Sequence, residues 1–161
     1  MYQRILLATD GSEQAEKAGE YAITTADFTG ADIIVLYVID TYLWGGLHMH
    51  STDKSYLEAL PAKGLREQLD KQLRDEGEKA VEKFKEKLEE TQCAGKCTNV
   101  NLITRIKEGK PSDEILKTIE EENIDQVIMG KSGRHGLDKF VMGSTADKVV
   151  RTAKVPVNVI S

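Results

Sequence analysis

The chain lacks any apolar run that could cross a bilayer: the longest, Ile33 to Ile39, is far short of the roughly 20 residues a spanning helix needs. Positive charge is also short. Lys and Arg number 22 against 27 Asp and Glu, a net charge of -5, and a general nucleic-acid binder needs a basic footprint. There is no internal repeat, linker or low-complexity tract, and 40% hydrophobic with 30% charged residues excludes a disordered chain. Cysteine is scarce. Cys93 and Cys97 form C-x(3)-C, a spacing that could close a local disulfide or lend two metal ligands, with His48 and His50 as prospective partners. No compact metal motif is present, however, and cytoplasmic thiols are usually reduced. The opening "MYQRILLATDGS" sets charge and a turn around a very short apolar run, unlike a signal peptide. The expected address is the cytoplasm, and the expected organisation is one domain over residues 1–161.

What is present is alternation. Apolar runs rich in β-branched residues, Gln3 to Thr9, Asp32 to Val38, Asn99 to Ile106, Asp125 to Met129 and Val155 to Ile160, suit strands covered on both faces. Helical stretches separate them. Glu13 to Ala26 carries Ala15, Ala18, Ala22 and Ala26 at helical spacing behind Ser12, an available N-cap. Gly64 to Glu90 carries Leu65, Leu69, Leu73, Ala80, Phe84 and Leu88 on one face. Its acid-before-base pairs Glu67/Lys71, Asp70/Arg74 and Asp75/Lys79 read as a solvated surface. Pro111 suits the first turn of a third helix, and Gly143-Ser144 opens a fourth that runs to about Ala153. The class is α/β, a doubly wound domain with a parallel sheet and crossover helices.

Four of the thirteen glycines, Gly130, Gly133, Gly136 and Gly143, crowd into "MGKSGRHGLDKFVMGST". Gly130-Lys131-Ser132 has the ending of a phosphate-binding P-loop, but the glycine required five residues earlier is Asp125. The P-loop reading fails. Glycines at a strand end allow positive φ and close backbone approach to an anion, and a helix opening at Gly143 offers free N–H groups. Charge agrees. Residues 130–154 hold six basic side chains (Lys131, Arg134, Lys139, Lys148, Arg151, Lys154) against Asp138 and Asp147, hence +4, which leaves -9 for the rest. Lys148, Arg151 and Lys154 could instead complement a helix C-terminus.

The spacing Gly130-x(2)-Gly133-x(9)-Gly143-Ser144 is complete at all four positions of the pattern G-x(2)-G-x(9)-G-[ST]. With "ILLATDGS", "LYVID", "EGKP" and "VPVNVIS" as flanks, the chain resembles the ATP-binding subgroup of the universal stress protein family over nearly its full length. The resemblance implies a five-stranded parallel sheet in the order 3-2-1-4-5, flanked by four main helices. The ligand crevice would then lie between the ends of the first strand, Ala8-Thr9-Asp10, and the fourth, Met129-Gly130. The resemblance further implies that Asp10 contacts the nucleoside and that Val38 lines the adenine pocket. Gly130, Gly133, Gly143, Ser144 and Thr145 would hold the phosphates of ATP, which would carry any Mg2+ or Mn2+. Ala8 departs from the family, where many relatives carry proline. Lys131 and Arg134 stay open between phosphate contact and solvation, and Asp10 between ligand contact and capping the turn at Gly11-Ser12.

Catalytic machinery is thin. His135 has no evident orienting partner, no Ser/His/Asp arrangement is suggested, and the S-G-G-x-D-S signature of ATP pyrophosphatases is missing. The expectation is therefore an adenine-nucleotide-binding regulatory module with at most slow or partner-dependent ATP hydrolysis. Two alternatives stand beside it: a nucleotide-free interaction module of the same family, and an enzyme acting on an adenylated small molecule. Pro156 lacks an N–H, which places "VPVNVIS" at a sheet edge. An apolar edge needs a cover, and the resemblance implies a homodimer through Val155 to Ile160. A further protein partner is left unidentified.

Overall fold

Strands and helices alternate as β1 (Arg4–Thr9), α1 (Glu13–Thr29), β2 (Asp32–Asp40), α2 (Lys63–Cys93), β3 (Leu102–Gly109), α3 (Pro111–Glu121), β4 (Gln126–Gly130), α4 (Ser144–Thr152) and β5 (Val157–Ile160). These come from a computed structural model that describes residues 2–40, 63–97, 99–131 and 141–161. All strand pairs are parallel, in the order β3-β2-β1-β4-β5. The order implied by the family resemblance is the one observed.

Side chains alternate across each strand, so the sheet has two cores. Ile5, Leu7, Ile33, Val35, Tyr37 and Ile128 face α1 and α2. Leu6, Ile34, Leu36, Val127 and Met129 face α3 and α4, where Ile115, Ile119 and Val149 meet them. Coverage of both faces is why the inner strands read as continuous apolar runs.

Local chemistry sets the helix limits. Ser12 Oγ accepts from the Ala15 N–H at 3.2 Å and caps α1. Gly30, at φ 72°, ends it by donating to the Ala26 carbonyl at 2.8 Å. The left-handed residue that closes a helix is usually glycine, because it carries no Cβ. The helix therefore runs three residues past Ala26, to Thr29. α2 buries Val81, Phe84 and Leu88, with Leu73 and Ala80 partly buried beside them; Leu65 and Leu69 lie outside the described side chains. Most of its paired cations reach other elements, although Lys85 pairs along the helix with Glu82 at 3.5 Å. None of the three expected acid-base pairs is among the ion pairs of the described residues: Arg74 reaches Glu108 on β3, while Lys83 and Lys87 reach Glu16 and Glu20 on α1.

Every strand differs at one end or both from the sequence expectation. β1 begins at Arg4 rather than Gln3, β2 runs to Asp40 rather than Val38, and β4 extends to Gly130 rather than Met129, while the other limits each have a visible cause. β3 begins at Leu102 and ends at Gly109 because it follows β2 residue by residue, from Ile33 opposite Leu102 to Asp40 opposite Gly109. An edge strand tolerates Lys107 and Glu108, whose charges read as a loop in one dimension. β4 begins at Gln126 because Asp125 is otherwise engaged: its Oδ2 accepts from the Gln3 and Arg4 N–H groups at 2.8 and 2.9 Å. β5 begins only at Val157. The Pro156 carbonyl accepts from the Val127 N–H at 2.9 Å, so Pro156 faces β4, and its missing donor ends that ladder.

Two helices on the same face are clamped together. Asp113, in the first turn of α3, accepts from Lys148 Nζ of α4 at 2.6 Å. That hydrogen bond, helped by the charges of Lys148 and Lys110, holds the Asp113 carboxyl below the usual carboxylate range. A lowered folded-state value contributes stability above the unfolded value, about pH 3.9, and loses it as pH falls through the folded one. Asp113→Asn is expected to lower the urea midpoint at pH 7 and to match the wild type near pH 2. An equal difference at both pH values would show that the clamp is not electrostatic.

Gly77 lies in the middle of α2, where a Cβ would sit 2.8 Å from Tyr37 Cδ1 and 3.0 Å from Cε1. Tyr37 is only 4% exposed and cannot swing away. Gly77→Ala gains about 1 kcal/mol of helix propensity but overpacks the core by roughly 1–3 kcal/mol. Chemical denaturation is expected to show a net loss of stability, and a gain would refute the close packing of this ring.

Candidate functional site

The strand order reverses between β1 and β4, which pair from Ile5 opposite Gln126 to Ala8 opposite Met129. α1 departs on one face and α4 lies on the other, so the carboxyl ends of these two strands open a crevice, the usual ligand position in doubly wound sheets. Ala8 and Val38 sit half-buried on the α3 and α4 side with buried Met129. An apolar surface is thus assembled from three strands.

On the β1 side the turn into α1 satisfies its own amides. Thr9 Oγ1 accepts from the Gly11 N–H at 3.2 Å, and Asp10 Oδ1 accepts from the Ser12 N–H at 2.9 Å. Gly11 adopts φ 77°, a conformation costly for residues with a Cβ. Asp10 therefore does cap the turn at Gly11-Ser12, and this bond fixes the carboxylate at the lip of the crevice.

On the β4 side the glycines have different reasons. Positive φ is the expectation for a glycine at a strand end such as Gly130, but among the described glycines only Gly11, Gly30, Gly95 and Gly109 adopt it. A Cβ at Gly130 would lie 3.1 Å from the Gln14 carbonyl carbon and 3.2 Å from the Ala15 nitrogen. The first turn of α1 presses on this strand end, and backbone cannot yield as a flexible side chain can. Gly143 is the N-cap of α4 at φ -61° and ψ 150°, with no side-chain hydrogen bond to the helix start. The first α-helical bond runs from the Asp147 N–H to the Gly143 carbonyl at 2.9 Å. The amides of Ser144, Thr145 and Ala146 precede it, at the positive end of the helix dipole. Ser144 is exposed, Thr145 half-buried and Gly143 buried.

Sequence reasoning missed how the two halves are tied. The Lys131 N–H donates to the Ile160 carbonyl at 2.7 Å, and the Lys131 carbonyl accepts from the Gly143 N–H at 2.9 Å. No side-chain pattern signals these bonds, because backbone makes both. The structure brings together Ala8, Thr9, Asp10, Val38, Met129, Gly130, Lys131, Gly143, Ser144 and Thr145 at this end of the sheet. Gly133 and Arg134 lie outside the described residues, as do Gly136, Lys139 and His135.

The basic segment also resolves. Lys148 pairs with Asp113, Arg151 with Asp147 at 2.9 Å, and Lys154 with Glu120 at 3.7 Å. These three cations serve the surface of α3 and α4, not the crevice. Among the described residues no group of three or more His, Cys, Asp or Glu could hold a metal ion. Cys93 and Cys97 are free, and burial, with a smaller contribution from Asp27, pushes the Cys97 thiol above its usual range. No helix among the described residues is long and apolar enough to cross a membrane.

Known proteins share this architecture. The model of the universal stress protein family matches residues 1–161. Universal stress protein MJ0531 of Methanocaldococcus jannaschii is 31% identical over 160 residues, covering 99% of this chain and 82% of that protein. The solved structure of MJ0577, from the same organism, superposes with a TM-score of 0.76 at 27% identity, covering 99% of this chain and 96% of that one. A universal stress protein family member of Arabidopsis thaliana, solved with AMP bound, shares the fold at a TM-score of 0.62 and 18% identity, over 98% of this chain and 90% of that one. A family match over the whole chain, carried on the same strand order, leaves one conclusion: this chain belongs to the universal stress protein family.

Proposed function

We propose that residues 1–161 form an adenine-nucleotide-binding regulatory domain. The observation that carries this reading is the convergence, at the ends of β1 and β4, of Asp10, the half-buried wall of Ala8 and Val38, and an α4 N-terminus without a side-chain cap. Nucleoside and phosphate then have separate seats. Asp10 meets the ribose, Val38 and Ala8 pack the base, and Ser144 and Thr145 present amides and hydroxyls to phosphate, while Gly143, its own N–H bonded to the Lys131 carbonyl, caps their helix. The Arabidopsis relative of the same fold, solved with AMP bound, supports the ligand class. A helix terminus alone contributes about 0.3–1 kcal/mol toward an anion, while micromolar affinity requires roughly 8 kcal/mol. The base, the hydroxyls and the amides of the Gly130 to Gly133 segment must act together.

ATP fits this set of groups, with any Mg2+ or Mn2+ carried on its phosphates. In this reading the protein groups bind and orient the nucleotide, and turnover, where it occurs, is slow or depends on a partner. Residence in the cytoplasm fits such a role.

Assembly completes the proposal. Pro156 and Ile160 both turn their carbonyls toward β4. With a period of two along the strand, Val157 and Val159 direct their N–H and C=O groups outward. Beside this edge stands Tyr21, 45% exposed, whose hydroxyl accepts from Asn158 Nδ2 at 3.3 Å. A second β5, antiparallel about a two-fold axis, would pair the open backbone groups and cover the apolar flanks.

Mass spectrometry of ligand released from freshly purified protein is expected to find an adenine nucleotide. In calorimetric titrations Gly143→Val should weaken ATP binding at least tenfold, about 1.4 kcal/mol. The backbone at Gly143 suits valine, and circular dichroism of the variant checks that it is folded. Failure of the folded wild type to bind ATP would sink the nucleotide reading. For assembly, sedimentation equilibrium is expected to give a dimer in the micromolar range, and a monomer at every concentration would refute pairing through β5.

A further inference from the structure

We infer that the open edge of β5 and the nucleotide crevice are thermodynamically coupled through Lys131, so that pairing of β5 with a second copy of the chain tightens adenine-nucleotide binding, and nucleotide tightens the pairing. This rests on both parts of the proposal above, the ligand and the dimer. The connection is short. The Ile160 carbonyl accepts from the Lys131 N–H at 2.7 Å, and the Lys131 carbonyl accepts from the Gly143 N–H at 2.9 Å. One residue therefore joins the last residue of β5 to the N-cap of α4.

β5 is the weakest element on this path. It has four residues, all half-exposed, and pairs on one side only. Short elements with exposed hydrogen bonds open locally at low cost. Opening of β5 from its carboxyl end releases the Lys131 N–H first, because Gly130 opposite Ile160 is the last pair of the ladder. Lys131 then loses the bond that holds its peptide in place, and the bond from Gly143 is left to hold the α4 cap alone. Outward pairing of Val157 and Val159 suppresses that opening without touching the crevice. A ligand seated between Gly130 and the start of α4 suppresses the same opening from the other side. Two events that favour one state of a shared element must favour each other, by the same factor in either direction.

Hydrogen exchange resolved by residue, on nucleotide-free protein at concentrations spanning the monomer–dimer transition, tests the protein half. The amides of Lys131 and Gly143 are expected to exchange at least fivefold more slowly in the dimer, while Gly30, bonded to Ala26 at the far end of α1, keeps its rate. Sedimentation with and without saturating ATP tests the ligand half: the dimer dissociation constant should fall by about 5- to 150-fold, the usual range of allosteric coupling. A dimer whose Lys131 and Gly143 amides exchange at the monomer rate overturns the coupling. So does ATP that binds and leaves the dimer constant unchanged, with the nucleotide reading intact. Failure of ATP to bind at all, or of a dimer to form, overturns the coupling together with the corresponding part of the proposal, and the separate assays tell these cases apart.

Discussion

The reversal of strand order between β1 and β4 is the constraint on which the rest of this structure depends. Crossovers of parallel strands are right-handed, so winding outward from β1 in one direction and from β4 in the other sends α1 and α2 to one face, and α3 and α4 to the opposite one. Two consequences follow at once. The central apolar positions of each inner strand are shielded on both sides, which removes the need for polar alternation. At the carboxyl end no helix bridges β1 and β4, and a crevice opens between them.

The two lips of that crevice are built on opposite principles. The β1 lip is internally satisfied, with Thr9, Asp10 and Ser12 each accepting from a nearby amide, and it is therefore rigid. The β4 lip is held by backbone bonds through Lys131, while the start of α4 has no side-chain cap. A capping Ser or Asp at Gly143 would occupy the very amides that make this end attractive to an anion. Rigid on one side and unsatisfied on the other, the arrangement suits a ligand that is apolar at one end and anionic at the other.

Charge outside the crevice works on a different scale. The cations of α2 tie it to α1 and β3, Lys107 reaches Thr118 and Glu121 on α3, and Arg105 reaches Glu122. Surface pairs of this kind contribute about 0–1 kcal/mol each. Their effect lies in fixing which surface each helix presents, and the apolar contacts beneath them supply most of the adhesion. Lys148, Arg151 and Lys154 belong to this surface network, which removes three of the segment's six cations from the site.

Much was legible in one dimension, because its causes are local. Apolar runs bounded by Gly, Ser and Pro marked five strands and four helices; Ser12 caps α1 by a contact three residues away; and the glycine spacing from Gly130 to Gly143 carried the family resemblance. What the sequence by itself determined is thus the order of elements, their buried faces and the residues available to the crevice. Only the tertiary structure decided the rest. The limits of β3 follow from pairing with β2, and Gly77 answers to the Tyr37 ring. Gly130 is glycine because the first turn of α1 lies against it, and Lys131 owes its place to Ile160 and Gly143. Each of these depends on groups distant along the chain coming within hydrogen-bond or van der Waals reach, and neither propensity nor periodicity encodes such distances until the sheet has assembled.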